Sequence, residues 1–405
     1  MSFSFPESHA ARVRPYWGLD PNITFLNHGS FGACPKPVLD VQTALRLQLE
    51  RQPVRFFARE MDALWGDTLE ALARFFGANA DDLALVSNAT AGVNTVLRSL
   101  TFEPGDELLT TDHAYNACRN ALDFVAAKAG ARVVVADIPF PIESPDEVVA
   151  AWMARVTDRT RLALIDHVTS PTGIVLPVEA IVATLADRGI DALVDGAHAP
   201  GMISLNLDAL GAAYYTGNCH KWMCAPKGAA FLHVRRDKQA RLRPLCISHG
   251  ANCLRTDRSR FRLEFDWTGT MDPTPWLAIP EALRFMSSLL PGGMAAVASH
   301  NRQMALAARR LLAAALGSAL PAPDSMIGSL ATVPVPDAIE QAPVGLLQFD
   351  SLQENLFHRH RIEVPIIPFP RWPRRLVRIS AQIYNDPQDY RKLANALVDE
   401  LRGPS

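Results

Sequence analysis

Five short, mostly apolar runs, Leu83–Val86, Glu107–Thr110, Arg132–Ala136, Leu162–His167 and Ala192–Asp195, alternate with segments of helical length. Strands spaced in this way pair in parallel, because a parallel neighbour is reached only through a crossover long enough to hold a helix. One crossover shows its period: Val93, Val96, Leu97 and Leu100 fall at i, i+3, i+4 and i+7 on one helical face. The pattern predicts an α/β fold whose mostly parallel central sheet is flanked by helices. Helices over Val38–Leu49 and Ala63–Phe76 precede the sheet, and Pro291-Gly292-Gly293 interrupts the alternation. Beyond that break come an alanine-rich helix, Met294–Leu316, a proline-spaced stretch, Pro321–Pro336, and a strand, Leu376–Ser380. The expected organisation is an irregular arm (1–35), a large domain (36–290) and a smaller C-terminal α+β domain (291–405).

Composition removes several function classes. Lys plus Arg (40) nearly balance Asp plus Glu (42), which argues against a nucleic-acid footprint and for a small-molecule enzyme. The N-terminal stretch lacks a basic segment followed by a long apolar run, and no later stretch is apolar enough to span a bilayer, so a soluble protein without a membrane partner is expected. Six cysteines without CxxC spacing fit the reduced thiols of a cytoplasm. No HExxH occurs among eleven histidines, so no metal site is expected. Gly29-Ser30-Phe31-Gly32 falls one residue short of a nucleophile elbow, and neither a P-loop nor a GxGxxG after a strand is present.

Ligand chemistry in such a sheet gathers at the carboxyl ends of the strands, and these ends are polar. Leu83–Val86 runs into Ser87-Asn88-Ala89-Thr90, a helix start with free N–H groups and a positive dipole end suited to an anion or to simple capping. Ala192–Asp195 runs into Asp195-Gly196-Ala197-His198. The run Ala212–Tyr215 enters a polar turn bearing His220 and Lys221, and Gly228–Val234 leads away. On its own such a lysine is more commonly salt-bridged. Buried near other cations, it has a lowered ammonium pKa and becomes a candidate Schiff-base nucleophile.

These pieces, in this order, resemble the class V aminotransferase-type pyridoxal-phosphate (PLP) enzymes of fold type I, and HKWMCAPKGAAFL is most similar to their isopenicillin N epimerase-like branch. The resemblance implies that 36–290 is a PLP-binding domain in which Lys221 holds the cofactor and Asp195 keeps its ring nitrogen protonated. It assigns the phosphate to Ala89, Thr90, Asn218 and His220. Tyr115 or His113 lies against the ring, with Tyr115 preferred, and Ser170 stands where related desulfurases carry an asparagine to the phenolic oxygen. His198 matches the epimerase-like branch. Gly269 and Thr270 resemble a segment that reaches the phosphate of the neighbouring subunit, which implies a homodimer with shared active sites. Arg378 resembles the residue that grips a substrate carboxylate, and Asn27 and His28 are assigned to substrate binding. Arg371, Arg374 and Arg375 read as a solvated basic face.

The family's reactions break a bond at the α-carbon of an amino acid, with the released Lys221 as base. Epimerisation or racemisation of an amino acid or amino-acid-containing peptide is the leading expectation. It needs a second proton donor, for which Tyr115, His113 and His28 are the candidates. A C–S β-lyase with Lys221 as sole base, an aminotransferase, and a PLP-binding protein without turnover are the alternatives. No cysteine follows Cys253, which argues against a persulfide-forming desulfurase.

Overall fold

The structure is a computed structural model that describes residues 4–342, 345 and 349–402. The outermost residues of the expected arm and C-terminal domain, 1–3 and 403–405, lie outside the described residues, as do 343–344 and 346–348. Twelve strands are described: β1 Thr24–Phe25, β2 Leu83–Val86, β3 Glu107–Thr111, β4 Arg132–Ala136, β5 Thr160–Asp166, β6 Asp191–Asp195, β7 Tyr214–Asn218, β8 Ala230–Val234, β9 Leu330–Val335, β10 Ile362–Glu363, β11 Ile366–Pro368 and β12 Arg375–Ser380. Seven of them form one sheet in the order β2-β8-β7-β6-β5-β3-β4. Only β8 runs against its neighbours; the other pairings are parallel.

Each central strand is buried on both faces, and its side chains divide by the period of two. In β5, Ala163 and Ile165 enter the core built with the helices Met61–Phe76 and Val178–Ala186. Leu162 and Leu164 enter a second core with Val93, Val96 and Leu97 of the helix Ala89–Ser99 and with Leu122 and Val125 of the helix Asn116–Ala129. The sheet is therefore the middle layer of three, as the alternation required. Gly92 sets the inner spacing, since a Cβ there would lie 2.2 Å from Thr216 Oγ1 on β7.

The helix Gly293–Leu316 packs on the helix Pro387–Arg402 and on a three-stranded antiparallel sheet, β11-β12-β9. The N-terminal segment is tied to this part of the chain: β1 pairs in parallel with β10, and the Ser380 amide donates to the Leu26 carbonyl at 2.9 Å. The expected solvated basic face is corrected at Arg375. That residue is buried and paired with Asp350 at 2.7 Å, a partner that its local sequence does not reveal.

Candidate active site

A cavity of about 550 Å³ opens at the carboxyl ends of the parallel strands. Its walls come from the last residues of the strands and the segments that follow them: after β2 (Ser87–Thr90), after β3 (Tyr115), at the end of β5 (Asp166, Val168, Ser170), of β6 (Asp195, Ala197, His198) and of β7 (Asn218, His220, Lys221). Residues more than a hundred positions apart meet there because a parallel sheet delivers all these strand ends to one edge.

Lys221 occupies a turn fixed by its backbone. The Cys219 amide donates to Ala229 O at 3.0 Å and the Cys224 amide to Lys221 O at 3.0 Å, with Cys224 in the left-handed region at φ 59°. Gly32 presses on the turn from outside: its φ is +70°, and a Cβ would stand 2.0 Å from His220 O. Burial, aided by the Arg378 charge, brings the Lys221 ammonium down to about 7. Lys221 Nζ lies 3.0 Å from His198 Nε2, while the Trp222 indole N–H donates to His198 Nδ1 at 3.4 Å. Burial also lowers His198, so the ring is neutral. With Nδ1 accepting, its proton sits on Nε2 and is donated to the Lys221 lone pair, which favours the uncharged amine.

Asp195 closes the floor. The Cys118 thiol donates to Oδ2 at 3.0 Å and the Ala197 amide to Oδ1 at 3.0 Å. Burial pushes this carboxyl up, opposed by both hydrogen bonds and by the Lys221 charge. Asp166 faces the same cavity; it escapes a reading of the sequence because it sits inside an apolar run. At the other end, the Asn88 side chain caps the helix Ala89–Ser99 by accepting the Ala91 amide at 2.8 Å, and Asn218 Oδ1 accepts the Ala89 amide at 2.8 Å. His220 Nδ1 meets the Ala229 carbonyl at 3.1 Å, and burial lowers the ring to about 4.

Arg378 is buried behind the wall. Its guanidinium donates to the Ser170 carbonyl and, at 2.9 Å, to Ser30 Oγ, while Nε has no partner. Burial lowers it to about 10, so it keeps its charge. Ser30 also lines the cavity and donates to Asn27 Oδ1 at 2.5 Å.

The structure brings Ala89, Thr90, Tyr115, Ser170, Asp195, His198, Asn218, His220 and Lys221 to one cavity. Other assigned residues stand elsewhere. Asn27 holds Glu363 Oε1 at 2.9 Å. His28 lies behind the lysine, 3.0 Å from Lys221 O and 2.8 Å from Tyr384 Oη, and burial lowers it to about 3. His113 is fully buried against Thr172 Oγ1 at 2.8 Å, whereas Tyr115 faces the opening and is 42% exposed. Gly269 and Thr270 lie on an irregular segment and are not among the residues that line this cavity, with Thr270 exposed. Sequence reasoning missed Asp166 and Ser30; a charged residue ending a buried strand was the available signal for Asp166.

The sequence model of the family "Aminotransferase class-V" matches residues 38–350. The chain belongs to the class-V aminotransferase family. This class-V chain is 36% identical over 399 residues to isopenicillin N epimerase of Streptomyces clavuligerus, covering 95% of this chain and 96% of that one. It is 30% identical over 406 residues to a probable chloroplastic L-cysteine desulfhydrase of Arabidopsis thaliana, covering 95% and 84%. Among solved structures, a mutant of C-DES with glycine covalently linked to its PLP cofactor superposes with a TM-score of 0.80 at 22% identity, covering 97% of this chain and 99% of that one. The cofactor of the class-V family is pyridoxal phosphate. The donor set fits it: a buried amine held near neutrality, a carboxylate for a ring nitrogen and a helix N-terminus for a phosphate share one cavity.

Proposed function

We propose that this class-V enzyme inverts the α-carbon of an amino acid, or of an amino-acid residue in a small peptide, with Lys221 and Tyr115 moving the proton. The observation that carries this reading is that, of the three candidate second acids, only Tyr115 lines the cavity with Lys221. His28 and His113 are buried behind it. When bound, the cofactor supplies an electron sink for the α-carbon. Lys221 Nζ would hold the cofactor, and as an amine that loses its charge at about pH 7 it is the base within reach for the α-proton. Burial raises the Tyr115 phenol, so it stays protonated and donates. Asp195 would pair with the ring nitrogen, and Ala89, Thr90, Asn218 and His220 would hold the phosphate end. Ser170 would donate to the phenolic oxygen. Arg378, charged and held directly behind Ser30 and Ser170 of the cavity wall, is the cation proposed to draw the substrate carboxylate to that side.

The near-full-length likeness to two isopenicillin N epimerases, at 36% and 35% identity, supports the same reading. A second reading, a C–S β-lyase with Lys221 as the single base, draws on the desulfhydrase relatives. Incubation with L- and D-amino acids in deuterated water, followed by NMR, separates the two. α-Deuterium in both enantiomers supports inversion. Pyruvate with ammonia, or a released thiol, establishes the lyase. Loss of the visible cofactor band in Lys221→Ala tests the covalent link, and no such band in the wild type removes the whole reading. We further propose a homodimer whose partner brings Thr270 to each site.

A further inference from the structure

Two aspartates end neighbouring strands at the cavity floor. Asp166 closes β5, Asp195 closes β6, and the two are register partners. Adjacent strands lie about 4.8 Å apart, and register partners point to the same face. Both side chains are shut away from solvent, at 5% and 2% exposure, and both line the cavity. Carboxylates this close in a dry site do not both ionise.

The surroundings decide which one keeps the proton. Asp195 accepts from the Cys118 thiol and the Ala197 amide, each at 3.0 Å. Asp166 accepts a 3.3 Å hydrogen bond from the Tyr115 amide. The charged and titratable groups that act on the pair are Lys221 from the turn, Tyr115 and Cys118 at the helix Asn116–Ala129, and Tyr215 from β7. Lys221 steadies the charge of Asp195. For Asp166, burial raises the carboxyl well above its ordinary range and the Asp195 charge adds to the effect.

We propose that Asp166 and Asp195 form one proton-sharing pair, with the proton on Asp166 and the charge on Asp195, so that Asp166 sets the charge offered to the cofactor's ring nitrogen. This rests on the cofactor reading for its consequence, but the pair itself belongs to the protein alone. Asp166 is a positioning residue: while protonated it leaves a single negative charge on the floor, and its ionisation at higher pH tightens the hold on the ring-nitrogen proton.

The test is infrared spectroscopy of the full chain labelled with ¹³C-aspartate, with and without bound pyridoxal phosphate. In the cofactor-free wild type, a protonated-carboxyl stretch from aspartate is expected at neutral pH, and this measurement needs no variant. The band disappears in Asp166→Asn and persists in Asp195→Asn, with its pH midpoint moved down. Absence of the band in the wild type, or its loss only in Asp195→Asn, overturns the proposal. With cofactor bound, a pH-dependent shift of the visible band at the midpoint of the infrared band recorded in the same cofactor-bound state is expected in the wild type and not in Asp166→Asn; superimposable titrations overturn the tuning role. In cofactor affinity, Asp166→Asn, where an amide replaces a neutral acid of the same shape, loses less than Asp195→Asn. Asp195→Asn loses on the order of a hundredfold, because a buried charge partner is removed. If no variant and no wild type takes up pyridoxal phosphate, the cofactor reading fails while the infrared result still decides the pair.

Discussion

At the scale of single residues, Lys221 shows how the fold changes a side chain's chemistry. A solvated lysine is a cation at every physiological pH. Burial and the Arg378 charge bring this one down to about 7 from an ordinary 10.5. The amine is therefore free above pH 7 and protonated below it. The rate at which the cofactor-free protein captures pyridoxal phosphate is expected to rise through about pH 7 and then level off. Arg378→Met moves that midpoint upward, because it removes the repelling charge. Stopped-flow absorbance over a pH series reads both, and a rate still climbing at the ordinary lysine value contradicts the assignment. Linkage gives the same shift a second sign: the unfolded chain binds a proton that the folded one rejects, so this group makes the cofactor-free protein more stable as pH rises from about 7 towards 10.5. Tyr115→Phe removes one proton donor and leaves the packing. It should slow inversion by about 10²–10⁴-fold while α-proton exchange with retention continues, which NMR in deuterated water distinguishes. Equal loss of both assigns Tyr115 to positioning rather than to proton transfer.

At the scale of elements, the site depends on how closely backbone elements approach. Gly92 lets the helix Ala89–Ser99 lie against Thr216 of β7, and that helix presents its N-terminus to the cavity. Gly92→Ala should cost about 1–3 kcal/mol through overpacking and weaken cofactor binding through displacement of the helix start. Thermal melting and cofactor titration measure the two effects, and an unchanged affinity separates the phosphate end from this contact. The elements themselves were legible because their physics is local: strands buried on both faces read as apolar runs, and crossovers read as helical periods. Residues were legible where a turn marked them, as with Lys221, Asp195 and the Ser87–Thr90 start. Asp166 was hidden because its meaning comes from a register partner on another strand. Arg375 was misread because Asp350, which pairs with its buried guanidinium, lies 25 positions away. Asn27 and His28 support the site from behind, and sequence cannot separate the front of a wall from its back.

At the scale of the whole molecule, the described surface leaves large apolar side chains uncovered. Leu254 is 93% exposed, Phe31 74%, Val54 66% and Leu47 65%. Phe31 also lines the cavity, so one exposed apolar side chain that asks for cover stands where the site opens outward. A second copy answers both needs, and sedimentation is expected to show a dimer. Thr270, which does not line the cavity of its own chain, would in the proposed dimer supply a hydrogen bond to the phosphate in the partner's cavity. A hydrogen bond to a charged group contributes about 1.5–3 kcal/mol, so Thr270→Ala should weaken cofactor binding roughly ten- to a hundredfold with the dimer intact. Mixed dimers settle which subunit supplies it. When a Lys221→Ala chain pairs with a Thr270→Ala chain, one cavity lacks both groups and the other has its own Lys221 and the partner's Thr270. Half of the sites should then bind with wild-type affinity, although neither parent homodimer has such a site. If Thr270 served its own cavity, the mixed dimer would hold only defective sites, and no wild-type binding class would appear in the titration.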